Sequence, residues 1–281
     1  MPAPRGRHDA VTDQTIACLT IGSSDSSGGA GVQGDIKAFA SVGCYAATVL
    51  VGVTAQNTTG VVARHGLPLD LVAEQLRCVL TDLPIRGIKV GTAWSADLLR
   101  LLGEELAAQA VPIVVDPVLV TAAGAFLSDV DEIRDVLVKS LFPVAAVVTP
   151  NRREAELLVG ARSEHLDRRG LAEELVALGA PAVVVTADAT DNGDWFYDGA
   201  THRLLGSDWH TTNCEHGAGC AHSALTTGLL AQGVPLVEAV ATAQRLASRG
   251  VSAGLAHLGA GVHPVDVLDL PAHRPEGLMP G

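Results

Sequence analysis

Apolar residues along this chain gather into two alternating kinds of segment. Short β-branched runs occupy 16–21, 48–53, 88–90, 113–115, 145–148 and 182–185, each bounded by Gly, Pro, Asp or Asn. Continuous apolar runs of that length predict strands buried on both faces. Between them, apolar residues recur at three- and four-residue steps over 32–41, 69–83, 96–110, 131–141, 152–159 and 171–178, which predicts helices that each lay one face on a core. Strand and helix in alternation predict an α/β fold with a parallel sheet covered on both sides. The rhythm breaks over 188–207, where Asn192-Gly193 and Asp198-Gly199 turns flank the alternating segments 195–197 and 201–204. This predicts an antiparallel hairpin at the sheet edge. Two more helices are expected, at 221–232 and 235–253.

Size and charge narrow what such a fold can meet. The 281 residues are 48% hydrophobic, enough for one large core over 16–270, with 1–15 a mobile tail and 271–281 a loose one. A net charge of −12 and a pI near 5.2 disfavour nucleic-acid or anionic-membrane surfaces, and 3% aromatic residues leave little for base stacking. No apolar run reaches the roughly 20 residues that cross a bilayer, and the first residues lack the core of a secretion signal. The cysteines Cys18, Cys44, Cys78, Cys214 and Cys220 are odd in number and show no paired spacing, as expected of reduced thiols in a cytoplasmic protein.

Two glycine-rich turns carry the candidate chemistry. Gly22-Ser23-Ser24-Asp25-Ser26-Ser27-Gly28-Gly29-Ala30-Gly31 lies between the first strand and the first helix; His216-Gly217-Ala218-Gly219-Cys220 opens a late helix. Such turns bring backbone close to a ligand and aim helix N–H groups at it, so the pair suggests a small molecule meeting a phosphate donor. Cys220 at a helix start is expected to have a lowered pKa, or else to be a small packing residue. Asn151 and Glu154, three apart at a helix start, read either as holders of hydrated Mg²⁺ and phosphate or as a capping box. Asp116, fixed by Pro117 after a strand, either serves the same metal or caps a turn. His210, Cys214, His216, Cys220 and His222 crowd together, but the Gly-Ala-Gly insert would spread them over different faces, against a zinc site.

The order and spacing of Thr20 to Asp35, Thr54-Ala55-Gln56-Asn57-Thr58, Val115-Asp116-Pro117-Val118, Thr149-Pro150-Asn151 with Glu154-Ala155, and Gly217-Ala218-Gly219-Cys220 resemble the hydroxymethylpyrimidine/phosphomethylpyrimidine kinases of thiamine biosynthesis. The resemblance runs from about residue 16 to about 261. It implies a ribokinase-like three-layer α/β/α sandwich, mostly parallel with the antiparallel edge hairpin. It also implies ATP and Mg²⁺ as cofactors and a homodimer. The reaction implied is phosphorylation of 4-amino-5-hydroxymethyl-2-methylpyrimidine, extending in the family to its monophosphate. By the same resemblance, the backbone of Gly217, Ala218 and Gly219 forms an anion hole and Cys220 is the base. Asp25, Ala30, Gln56 and Val118 line the pyrimidine pocket, Asn151, Glu154 and Thr186 meet the nucleotide, and Asp116 with Glu154 meets the metal. Gln56 has an alternative as a loop tie.

Departures from the family pattern keep other readings open. Thr186-Ala187-Asp188 stands where Lys-Gly-Gly is common, Ala122 where a second lysine is frequent, Glu215 for a threonine and Cys214 for an asparagine. Thr92 replaces a methionine that covers the ring, and Ser23 replaces a glycine. Two fewer cations and one more carboxylate weaken binding of polyphosphate. A kinase of another heterocyclic alcohol such as pyridoxal, and a non-catalytic pyrimidine binder, are the alternatives.

Overall fold

The first apolar run becomes strand β1 (Ile16–Asp25) in the computed structural model, which describes residues 15–91, 95–119, 130–187, 193–206 and 210–273. After it come α1 (Gly31–Ser41), β2 (Cys44–Asn57), β3 (Gly60–Gly66), α2 (Leu69–Asp82), β4 (Ile85–Val90), α3 (Ala96–Leu106) and β5 (Ile113–Val115). Then follow α4 (Val130–Ser140), β6 (Val147–Val148), α5 (Arg152–Val159), α6 (Arg168–Ala177), β7 (Val183–Val185), β8 (Asp194–Tyr197), β9 (His202–Leu205), α7 (Ala218–Ala231) and α8 (Leu236–Ser252). The strands form one sheet in the order β3-β2-β1-β4-β5-β6-β7-β8-β9. From β2 to β7 the pairing is parallel; β3 at one end and the β8–β9 hairpin at the other are antiparallel.

Side-chain alternation along the strands builds the layers. Leu19, Ile21, Ile88 and Val90 are buried in one core with Val72 and Leu76 of α2, Leu99 of α3, Leu137 of α4, Leu158 of α5 and Leu171 of α6. The intervening Cys18 faces the other way, into a second core with Phe39 of α1, Leu225 of α7 and Ala243 of α8. Three layers result, as the alternating pattern demands. Ligands of such sheets bind beyond the carboxyl ends of the strands, where the turns after β1, β5 and β6 open together.

Three differences from expectation bear on the site. β3 was not foreseen: Val61, Val62, Ala63, Arg64 and His65 show no buried face to read, because this edge strand forms by pairing with β2 and stays largely exposed. β1 continues through Gly22-Ser23-Ser24-Asp25, which pair with Leu50, Gly52, Val53 and Thr54 of β2, so the glycine-rich turn starts only after Asp25. Neighbouring backbone overrides the poor strand propensity of those residues. α7 begins at Ala218, three residues before the expected start, because Gly217 adopts the left-handed conformation at its N-cap, φ 88°.

Candidate active site

The two glycine-rich turns touch. A Cβ placed on Gly217 would stand 1.9 Å from the carbonyl oxygen of Gly29, and one on Gly29 would stand 2.1 Å from Cδ2 of His216. Only hydrogen at these positions lets the backbones approach. Asp25 clamps the contact. Its Oδ1 accepts from the N–H and Oγ of Ser27, each at 2.8 Å, and its Oδ2 accepts from the N–H of Ala30 and from Nε2 of His216, each at 2.9 Å. Burial pushes this carboxyl up, but His216, Ser27 and Ala30 outweigh it and hold the pKa at about 2. A carboxylate offers about four acceptor positions, and here all four are filled. The Asp25 side chain thus joins the early turn to the late one while lining the cavity beside them.

Behind the turns lies a cavity of about 300 Å³. The residues given a site role in the sequence line it: Asp25, Ala30, Gln56, Asp116, Val118, Asn151, Glu154 and Thr186, with Gly217, Ala218, Gly219 and Cys220. Thr92, Ala122 and Asp188 lie outside the described residues. The amide oxygen of Gln56 is 3.3 Å from Oγ1 of Thr54, and among the described residues none accepts from its side-chain N–H groups. Val118, half-buried, follows Asp116 in the turn after β5, where its N–H donates to the Asp116 carbonyl at 2.9 Å.

The cavity floor holds a group the sequence reading passed over. Lys89 is fully buried, its Nζ 2.5 Å from Oδ1 of Asp35, 3.6 Å from Oδ2 of Asp116 and 3.4 Å from the carbonyl of Cys220. Thr20 Oγ1 donates to the other Asp35 oxygen at 2.6 Å, and Ser223 Oγ donates to Asp116 at 2.9 Å. Burial favours the neutral amine, but neighbouring negative charge, first of all on Asp35, outweighs it and raises the pKa of Lys89. A signal was present: Lys89 stands between Ile88 and Val90 in a short apolar run, and a charge buried there requires a partner.

Cys220 departs from expectation in its protonation. It lines the cavity together with Gly31, so the starts of α1 and α7 both border it. Burial nevertheless pushes the thiol up to about 12, with Asp116 and Asp35 adding to the rise and Lys89 opposing it. The lowering expected from a helix start is outweighed by desolvation.

Asn151 and Glu154 form the capping box of α5, with Asn151 Oδ1 accepting from the Glu154 N–H at 2.9 Å and Glu154 Oε2 from the Asn151 N–H at 3.0 Å. Burial and then the charge of Asp116 raise Glu154 to about 8. Two carboxylates in one buried site are a donor set suited to Mg²⁺, which takes one or two carboxylates and completes its shell with water and phosphate. Among the described residues no group of three His, Cys, Asp or Glu could hold a metal ion unaided. Thr186 bridges to Asn151 from the end of β7.

A parallel α/β sheet, helix starts converging beyond its strand ends and a small-molecule cavity between them define a ribokinase-like phosphotransferase. A family profile described as phosphomethylpyrimidine kinase matches residues 25–266, and the chain belongs to that family. It is 36% identical over 257 residues to a hydroxymethylpyrimidine/phosphomethylpyrimidine kinase from Rhizobium meliloti, covering 89% of this chain and 96% of that one. It is 38% identical over 270 residues to the thiamine biosynthesis bifunctional protein ThiED from Geobacter sulfurreducens, covering 94% of this chain but only 53% of that one. This chain thus spans about half the length of that bifunctional relative. An ADP complex of pyridoxal kinase from Bacillus subtilis has a similar fold, with a TM-score of 0.82 at 29% identity over 92% of this chain and 99% of that one.

Proposed function

We propose that this protein transfers the γ-phosphoryl group of ATP to the hydroxymethyl oxygen of 4-amino-5-hydroxymethyl-2-methylpyrimidine, and then to the resulting monophosphate, in thiamine biosynthesis. One observation carries the reading: in a chain of this family, two glycine-rich turns far apart in sequence meet at one cavity, one at the acceptor end and one at a helix start. Gln56 offers its free amide to the ring, and Ala30 and Val118 are small enough for the ring to lie close. The N–H groups of Gly217, Ala218 and Gly219 receive charge on the transferring phosphoryl oxygens. The acceptor oxygen bonds to γ-phosphorus while the bond to the bridging oxygen of ADP breaks, and the hydroxyl proton passes to Cys220 in its thiolate form. Asp25 and His216 keep the two halves in register. Asn151, Glu154 and Thr186 meet the nucleotide. Asp116 and Glu154 would hold Mg²⁺, which would supply positive charge to the phosphates. The reading includes a cytoplasmic homodimer, for which sedimentation velocity of the purified chain is the check.

A second reading, phosphorylation of pyridoxal, is favoured by the fold similarity to the pyridoxal kinase of Bacillus subtilis. A coupled ADP-release assay with ATP and Mg²⁺ tests both. ADP release with the pyrimidine and not with pyridoxal is expected; release with pyridoxal alone replaces the first reading by the second. Release with neither, alongside pyrimidine binding by calorimetry, leaves a binding protein.

A further inference from the structure

The cavity wall built by β1 and β2 holds a hydroxyl with nothing to bond. Ser23, where the resemblance drawn from the sequence leads one to expect glycine, lines the cavity and is only 9% exposed. Its Oγ is buried and has no hydrogen-bond partner among the described residues. A buried hydroxyl left unpaired is costly, and folded proteins keep few of them.

The sheet sets that side chain among the residues at the acceptor end. Ser23 of β1 pairs with Gly52 of β2 and Asp25 pairs with Thr54, so Ser23, Asp25, Thr54 and, two residues on, Gln56 share one face. All four line the cavity. Gly52, directly opposite Ser23, adds no side chain to that row. The four differ in what they have left to offer. Asp25 accepts at every position and donates nothing. Thr54 turns its hydroxyl to the Ser24 carbonyl at 3.0 Å and to the amide oxygen of Gln56 at 3.3 Å. What remains on this wall is the O–H of Ser23 and the side-chain N–H groups of Gln56, donors without an acceptor among the described residues.

We propose that Ser23 is a specificity residue whose hydroxyl donates to a ring nitrogen of the acceptor, so that the cavity takes a pyrimidine over a ring of the same outline without nitrogens. The two unspent donors, Ser23 and Gln56, match the two ring nitrogens of a pyrimidine, each with a lone pair in the ring plane. A site that holds an unpaired polar group rejects an analogue unable to pair it, because the group then stays buried and unsatisfied. This inference rests on the proposed function and assigns one contact of its acceptor.

The test is calorimetry without nucleotide on wild type, Ser23→Ala and Ser23→Gly, with 4-amino-5-hydroxymethyl-2-methylpyrimidine and 2-amino-4-methylbenzyl alcohol as probes. The benzyl alcohol keeps the amine, methyl and hydroxymethyl groups in place and replaces both ring nitrogens by C–H. Wild type is expected to bind the pyrimidine more tightly than the benzyl alcohol. Ser23→Ala is expected to weaken the pyrimidine about fivefold and to leave Kd for the benzyl alcohol unchanged or lower. The thermal midpoint of ligand-free Ser23→Ala stays at or above that of wild type, since the hydroxyl has no partner to lose. A lower midpoint would assign the hydroxyl to the protein's own structure and overturn the proposal. So would an unchanged pyrimidine Kd in Ser23→Ala, equal weakening of both probes, or a tighter pyrimidine Kd in Ser23→Gly, which would mean that the side chain only crowds the ring. Absence of pyrimidine binding by wild type overturns it as well. Pyrimidine binding without ADP release in the coupled assay fails the functional reading alone, and the two Kd values still decide on Ser23.

Discussion

Lys89 shows how one side chain can carry both stability and site geometry. Its ammonium lies between two carboxylates under α7, so replacing it leaves Asp35 and Asp116 as uncompensated buried charges. Removing one partner from a buried ion cluster typically costs about 3–5 kcal/mol, far more than an exposed pair is worth. Lys89→Met is therefore expected to lower the denaturant midpoint by a matching amount, and adding Asp35→Asn should restore part of it. An unchanged midpoint would mean that the carboxylates carry protons instead of charge. Cys220 makes a second residue-level prediction. With its thiol pushed up to about 12, the thiolate fraction grows tenfold per pH unit across the neutral and mildly alkaline range. If Cys220 is the base, kcat rises with pH over that range without a plateau, and Cys220→Ala abolishes turnover while pyrimidine binding survives. A flat profile removes Cys220 from the proton transfer. Residue identities at the glycine-rich turns were legible because phosphate chemistry asks for small residues at helix starts. Occupancy was not: nothing in the order of residues reveals that Ser27, Ala30 and His216 saturate Asp25, because that follows from the contact between the turns.

At the level of elements, the site depends on how closely the start of α7 approaches the turn after β1. Gly217→Ala would force a methyl into the Gly29 carbonyl and put a side chain at φ 88°, so the turns must part. Loss of nearly all turnover is expected with an intact far-ultraviolet circular dichroism spectrum; wild-type kcat in this variant would show that the contact is dispensable. The Asp25 clamp adds a pH signature. Its folded pKa, about 2, lies below the ordinary value of 3.8, so its stabilisation is present above pH 3.8 and is lost as pH falls through 2. The shift corresponds to about 2 kcal/mol. Asp25→Asn is expected to be less stable than wild type at neutral pH and to lose less on acidification between pH 4 and 2, as followed by urea unfolding at each pH. Parallel curves would mean that Asp25 does not join the turns as described. The buried strands and amphipathic helices could be read from periodicity, since each has a face that must leave water. β3 could not, because pairing with β2 alone creates it, and that strand brings Arg64 to the cavity.

For the molecule as a whole, charge is the property that sits least easily with a polyphosphate donor. The net charge is −12, and among the described residues five acidic side chains line the cavity against Lys89, which is already paired, and the exposed Arg64. A field of that sign slows and weakens the approach of ATP. Thr186, where the resemblance drawn from the sequence leads one to expect a lysine, stands beside Asn151 at the end of β7 and on the cavity wall. One added cation near phosphate oxygens in a partly screened site is worth about 1 kcal/mol or more, which is about fivefold in affinity. Thr186→Lys is thus expected to lower KM for ATP about fivefold at low ionic strength, with less gain as salt is raised, and to leave KM for the acceptor alone. The salt dependence separates a direct charge effect from a change of shape, which would persist at high salt. An unchanged KM for ATP at low salt would mean that the phosphates do not pass Thr186, and the assignment of the Asn151 side of the cavity to the donor would fall with it.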